Sequence, residues 1–330
     1  MDLVLRIADD LVLDKAWAAI LPAPNSLAPQ AVGVNATTYI PVASTSSWSQ
    51  FVSFIPSSSS SLLQSTAQSA WPRDCIPRQI LSLAVITLLG IHLLYFIFAW
   101  LSYRFIFNHE MMKHPRFLKN QVRQEIVSSL KAFPGMTLLT LPWFQAEVMG
   151  YSMLYDDVST YGWTYFFASI AMFLIFTDYG IYWVHRLLHH PLVYKYVHKP
   201  HHKWIIPTPF SSHAFHFLDG YLQSVPYHLF IYLFPLHRLL YLSLFVFVNC
   251  WSILIHDSDM ITGHPLETII NGPAHHTLHH LYFTVNYGQY FTWADRVYGS
   301  YRQPESELDP MNEIKAHEER EREQAALKTE

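Results

Sequence analysis

Charge is scarce in this chain. Of its 330 residues only 14% are Asp, Glu, Lys or Arg, against about 25% in an ordinary soluble domain. The formal net charge is only −4, so no polyanion partner is indicated and a nucleic-acid partner is not expected. Cysteine is scarcer still. Cys75 and Cys250 stand alone, which excludes a disulfide framework and any Cys-x-x-Cys zinc or redox motif. No Gly-x-Gly-x-x-Gly run marks a dinucleotide site, no Cys-x-x-Cys-His marks an attached haem, and no His-Pro-Gly-Gly marks a fused haem domain. The opening MDLVLRIADD has neither the basic start nor the continuous apolar stretch of a cleaved signal peptide.

Apolar and aromatic side chains fill the gap. The chain is 51% hydrophobic, with 22 Phe, 20 Tyr and 10 Trp, which points to a membrane protein. The clearest apolar run, residues 80–101, carries no Asp, Glu, Lys or Arg and is long enough to cross about 30 Å of hydrocarbon. Further spans are expected over residues 130–151, 163–183, 218–234 and 236–255, the last two as a hairpin around Pro235-Leu236-His237. The loop holding Arg104, Lys113, Arg116, Lys119, Arg123 and Lys131 is basic, as is the one holding Arg186, Lys195, Lys199 and Lys203. The loop with Asp156 and Asp157 has no Lys or Arg. The positive-inside rule therefore puts the two basic loops in the cytosol. Residues 1–77, rich in Ser and Thr, read as a loosely ordered arm on the lumenal side, with an N-glycosylation sequon at Asn35. Residues 78–304 read as the membrane domain and 305–330 as a charged, solvated cytosolic tail, partly helical.

The histidines are the anomaly. Sixteen of the twenty fall between His185 and His280. Three clusters repeat one pattern: His185, His189, His190; His198, His201, His202; and His276, His279, His280, with His275 just before the last. Spacings of three and four residues stack side chains on one helical face, so each cluster can aim two or three imidazoles at a common point. Imidazole suits iron, zinc, copper and nickel. Eight or nine imidazoles are too many for one ion; two ions would each take about four to six, which suits a two-iron centre that activates dioxygen. Hydrolytic zinc, with three ligands and a water, fits less well. Asp178 sits seven residues before His185 on a similar helix face, and Asp219, Asp257 and Asp295 are further acids that could orient ligands. The fold class expected is all-α: a multi-pass membrane protein of about four to five transmembrane helices under a cytosolic, histidine-rich cap for two metal ions.

HRLLHH, HKPHH and HTLHH resemble the three histidine boxes of the membrane fatty acid hydroxylase and sterol desaturase superfamily. The flanking YWVHRLLHHPLVYKYVHKPHHKW and NGPAHHTLHHLYFTVNYGQYFTWADRVYGSYR look like the fungal sterol C-5 desaturase branch. The resemblance covers roughly residues 81–302. It implies iron as the metal, dioxygen as co-substrate, and insertion of the C5=C6 double bond into a Δ7-sterol such as episterol, in ergosterol biosynthesis. It also implies electrons passed from NADH through cytochrome b5 reductase and cytochrome b5, other sterol-biosynthesis enzymes as neighbours, and an endoplasmic reticulum membrane with the active site facing the cytosol. The nine boxed histidines are the ligands it implies. Members also use histidines outside the boxes, for which His256, His213 and His216 are the candidates, while His275 falls outside the pattern and is expected behind the ligands or at the surface. Rival readings are C-4 sterol methyl oxidation or fatty-acyl hydroxylation on the same scaffold, and a histidine-rich metal or proton transporter.

Overall fold

The computed structural model describes residues 1–24 and 68–328, so Asn35 lies outside the described residues. The described chain is almost entirely helical. Helix α1 (Asp2–Ala8) runs through a π-helical turn into α2 (Asp14–Ile20). The long helices follow: α3 (Ile76–Phe105), α4 (Gln121–Val148) and α5 (Gly162–Leu188). After the short α6 (Pro191–Tyr194) come α7 (Phe217–Leu233) and α8 (Arg238–Leu254), then α9 (Pro273–Tyr282), α10 (Trp293–Val297) and α11 (Pro310–Leu327). The only sheet among the described residues pairs two dipeptides in parallel, Leu154–Tyr155 with Leu236–His237, which clips the α7–α8 turn to the loop before α5.

Among the described residues two helices are long and apolar enough to cross a membrane: α3, with mean hydropathy 2.4, and α5, with 1.5. A soluble core helix of that hydropathy would be buried. Here only 17% of the apolar window of α3 is covered by the rest of the chain, and Leu89, Leu93, Ile97 and Trp100 face outward. Such a surface requires lipid or another apolar cover. Helices α7 and α8 have 17 residues each, about 25 Å of rise, short of the roughly 30 Å hydrocarbon core. The fourth and fifth spans expected from the sequence form this helical hairpin, each helix at the short end of the length that crosses a membrane. Part of their apolar content is buried with α5: Phe173, Ile181, Phe230, Ile231, Tyr241 and Val248 belong to one core cluster, while Leu233, Leu239 and Phe247 stay exposed. At Gly180 a Cβ would come 2.8 Å from the Pro226 ring, so only glycine lets α5 and α7 approach this closely.

Residues 1–20 are not a loose arm. Leu5 packs with Leu83, Leu141 and Phe144. The buried Arg78 pairs with Asp9 at 2.8 Å and Asp14 at 2.5 Å. Trp17 Nε1 donates to Ser82 Oγ at 3.0 Å. Partners more than sixty residues away stabilise this segment, so its own sequence does not announce the packing. The tail is likewise docked: Ile314 of α11 is buried with Phe107, Met111 and Ile206, and Glu313 bonds Arg116 at 2.5 Å.

Candidate metal centre

Nine imidazoles converge in two groups. His185, His189, His198, His202 and His279 form one; His201, His256, His276 and His280 form the other. Within each group the facing nitrogens lie within 4.8 Å of one another. The Nε2 of His202 lies 3.1 Å from that of each of His189, His198 and His279, and His185 is 3.2 Å from His198. In the second group His276 is 2.9 Å from His256 and 3.2 Å from His280, and His256 is 3.3 Å from His201.

Helical rotation explains the partition. Successive helical residues point about 100° apart. His276 and His280, at i and i+4 on α9, share a face and join the second group; His279 is rotated and reaches the first. The second box divides the same way across a tight turn: His198 and His202 go to the first group, His201 to the second. Each of these doublets therefore splits, one ring per group. In the first box His185 and His189 are i and i+4 at the end of α5. His190 is one residue further on, where the helix has ended; its exposed ring accepts a hydrogen bond from the backbone N–H of Leu192 and caps α6.

Between rings whose tautomers are fixed, as in His185–His198, such a short nitrogen–nitrogen contact is not a hydrogen bond. His185 Nδ1 lies 3.1 Å from the Tyr287 carbonyl, His279 Nδ1 2.7 Å from that of Val285, His280 Nδ1 2.9 Å from that of Trp204, and His256 Nδ1 2.5 Å from that of Ser252. A carbonyl only accepts, so each Nδ1 carries the proton and each Nε2 presents a lone pair; the tautomers follow from these partners. His198 Nδ1 is fixed in the same way by the Asp219 carboxylate at 2.7 Å. Lone pairs about 3 Å apart repel unless a cation sits between them. Metal–imidazole bonds of about 2.1 Å put neighbouring donors about 3 Å apart, so the donor set fits two metal ions. Burial, reinforced by the neighbouring rings, holds His201, His202, His276, His279 and His280 well below the ordinary imidazole value, and burial brings His256 to about 4. All are neutral at pH 7, as ligation requires.

The remaining candidates lie elsewhere. His216 caps α7 by accepting from the Leu218 N–H. His213 is buried but turns to Asn249 and Ser212. His275 packs by Tyr301 and faces neither group. Of the four acids only Asp219 touches an imidazole. Asp178 accepts the backbone N–H groups of Gln289, Tyr290 and Phe291, and Asp295 those of Tyr287 and Gly288. They hold the segment whose carbonyls receive His185 and His279. Asp257 caps the next turn through the Asp259 N–H. Sequence reading missed these carbonyls, because backbone acceptors carry no residue signature.

Two results check this partition by metal analysis. His190→Ala should keep its metal and lie within about twofold of wild-type activity, since a surface cap contributes only about 1 kcal/mol to stability. Asp219→Asn should weaken metal retention about 10–100-fold in chelator competition, the usual effect of losing a carboxylate behind a ligand histidine.

A cavity of about 440 Å³ begins at the imidazoles of His185, His201, His256 and His276 and continues between the helices to Val4, Thr140 and Phe144. Its volume falls in the range of small-molecule sites, about 300–1,000 Å³. Residues 170–300 match the fatty acid hydroxylase family. The chain is 50% identical over 313 residues to a Delta(7)-sterol 5(6)-desaturase of Gibberella zeae, covering 95% of this chain and 93% of that one. A Delta(7)-sterol 5(6)-desaturase of Aspergillus fumigatus is 48% identical over 95% of this chain and 92% of its own. The Homo sapiens lathosterol oxidase is 55% identical over 238 residues, 72% of this chain and 80% of its own. No solved structure matches.

Proposed function

Because the chain belongs to the Delta(7)-sterol 5(6)-desaturase family, we propose that it is the oxidoreductase that inserts the C5=C6 double bond into an episterol-like Δ7-sterol, at a two-iron centre and at the expense of dioxygen. The observation that carries this reading is the junction of the two imidazole groups with a long apolar cavity. The target C–H bonds are unactivated, and no side chain can deprotonate them, so a redox metal is needed. Iron at the nine imidazoles would supply that oxidising chemistry. The protein's part is positional. His185, His189, His198, His202 and His279 would hold one ion and His201, His256, His276 and His280 the other. The carbonyls of Tyr287, Val285, Trp204 and Ser252 and the Asp219 carboxylate keep the Nδ1 protons away from the metal side. The cavity wall, with Ile91, Leu94, Phe215 and Tyr227, would exclude water and present the flat rings. A misplacement of about 1 Å can cost a hundredfold in rate.

The electrons would come from NADH through cytochrome b5 reductase and cytochrome b5, docking at the exposed Lys195, Lys199 and Lys203. The lipid-facing surfaces of α3 and α5 and the basic loops support a multi-pass endoplasmic reticulum protein with its metal centre toward the cytosol. The test is expression in a fungal strain blocked at C5 desaturation, with sterols read by mass spectrometry. Return of Δ5,7-sterols is the expected result. Products oxidised at C-4, or hydroxylated acyl chains with no Δ5,7-sterol, would overturn it.

A further inference from the structure

A Δ7-sterol has one polar atom, the oxygen of its 3β-hydroxyl, and a single carbon separates C3 from C5. Any pose that brings C5 and C6 to the metal end of the cavity therefore brings the hydroxyl there too. The alkyl side chain must then run toward Val4 and Phe144. A hydroxyl buried against an apolar wall loses its water partners without replacement, so the wall near the metals needs a hydrogen-bonding group that the metal centre does not use.

We propose that His213 and Asn249 are that group: a clamp for the 3β-hydroxyl that sets which carbons face the metals. Both line the cavity. Asn249 stands on the last turns of α8, about 8 Å of helix rise before its end at Leu254, and His256 follows directly beyond that end. That span suits a sterol hydroxyl whose C5 reaches the metals. The His213 ring is buried, edge-on to Tyr95 at 5.5 Å. Its Nε2 lies 3.3 Å from Asn249 Oδ1, and its Nδ1 lies 3.0 Å from Ser212 Oγ. Asn249 Nδ2 donates to the Phe245 carbonyl at 2.8 Å. Ser212 Oγ also lies 2.9 Å from the Pro209 carbonyl, and its single proton can serve only one partner. If Ser212 donates to His213, then Nε2–H donates to Asn249 and the amide oxygen keeps a free lone pair. If Ser212 donates to Pro209, two acceptors face each other across 3.3 Å. In both states the pair can accept a hydroxyl proton.

The rival position is His228, whose buried Nδ1 has no partner among the described residues and whose ring also lines the cavity. It lies nine residues along α7 from Asp219, the partner of His198, about 13 Å of rise. A hydroxyl held there would leave C5 far from the metals.

This inference rests on the sterol reading of the cavity. The test is equilibrium binding to the full chain in lipid nanodiscs, with a radiolabelled 3β-hydroxy Δ7-sterol competed by its 3-deoxy analogue. Wild type should prefer the hydroxyl about tenfold, about 1.4 kcal/mol, the size of one net hydrogen bond. Asn249→Leu and His213→Leu should bind both ligands within about twofold. His228→Leu should keep the preference, and His213→Gln should restore part of it. Iron per chain should be unchanged throughout. Should the leucine variants fail to fold, Asn249→Ser must show the same loss. A preference that survives at both positions, or that disappears in His228→Leu instead, would overturn the clamp. So would loss of iron in His213→Leu, which would make His213 a ligand. If wild type binds no Δ7-sterol at all, the sterol reading itself fails.

Discussion

Replacing His202 with alanine should abolish Δ5,7-sterol formation and lower bound iron from about two to about one per chain. His202 is the hub of the first group, with its Nε2 within 3.1 Å of three other Nε2 atoms. The Nδ1 atoms of His198 and His279 cannot turn to fill its place, because they are held by Asp219 and Val285. Removing His202 would leave four of the five imidazoles that would hold the ion, and would take away the ring that lies against members of all three boxes. The activity loss should be at least about a thousandfold, about 4 kcal/mol of barrier. The second group should keep its ion, because its ligands take their orientation from Trp204 and Ser252. Metal analysis and sterol mass spectrometry on one preparation check both halves. A variant with full iron and full turnover would remove His202 from the ligand set.

How much of this was legible in the sequence depends on the kind of order. The i, i+3, i+4 spacing of His276, His279 and His280 announces convergence, since it is a property of helix geometry alone. That His279 and His280 would part company was implicit in the same 100° rotation, but only the arrangement of neighbouring helices says where each ring finds partners. His190 looked identical to His202 as the end of a doublet. What separates them is that α5 ends before His190, with Pro191 opening a new turn. His256 carried the weakest sequence signal of the nine, standing alone at the end of an apolar run. It completes the second group because α8 ends against the 201–204 turn and α9. Apolar content alone does not say which side chains of the α7–α8 hairpin are covered: Phe230 and Val248 are buried, whereas Leu233 and Phe247 are exposed. Residues 1–20 were read as loose because Arg78, Ser82 and Glu147, which bind them, lie far away in the chain.

The same distinction between direct and relayed contacts sets the second large effect. Asp178→Ala should lower stability by about 3–9 kcal/mol and loosen the first metal group while sparing the second. One carboxylate oxygen accepts the N–H groups of Tyr290 at 2.7 Å, Gln289 at 3.1 Å and Phe291 at 3.2 Å. Each buried donor left without a partner costs about 1–3 kcal/mol, and alanine would orphan three. The segment so released carries the carbonyls of Tyr287 and Val285, which fix His185 and His279, and the Gln289 carbonyl, which accepts from Trp251 Nε1 at 2.7 Å. Asp295 grips the Tyr287 and Gly288 N–H groups from the other side, so the segment should stay docked but lose its register. Asp178→Asn keeps an oxygen at the same place and gives up only the charge, which roughly halves each bond; it should fold, with a smaller loss. The expected order is therefore wild type, then asparagine, then alanine, in both melting temperature and iron retained by the first group under a chelator. Equal retention in all three would mean that Asp295 alone holds the acceptor carbonyls in place. A loss confined to the second group would break the link from Asp178 through Tyr287 to His185.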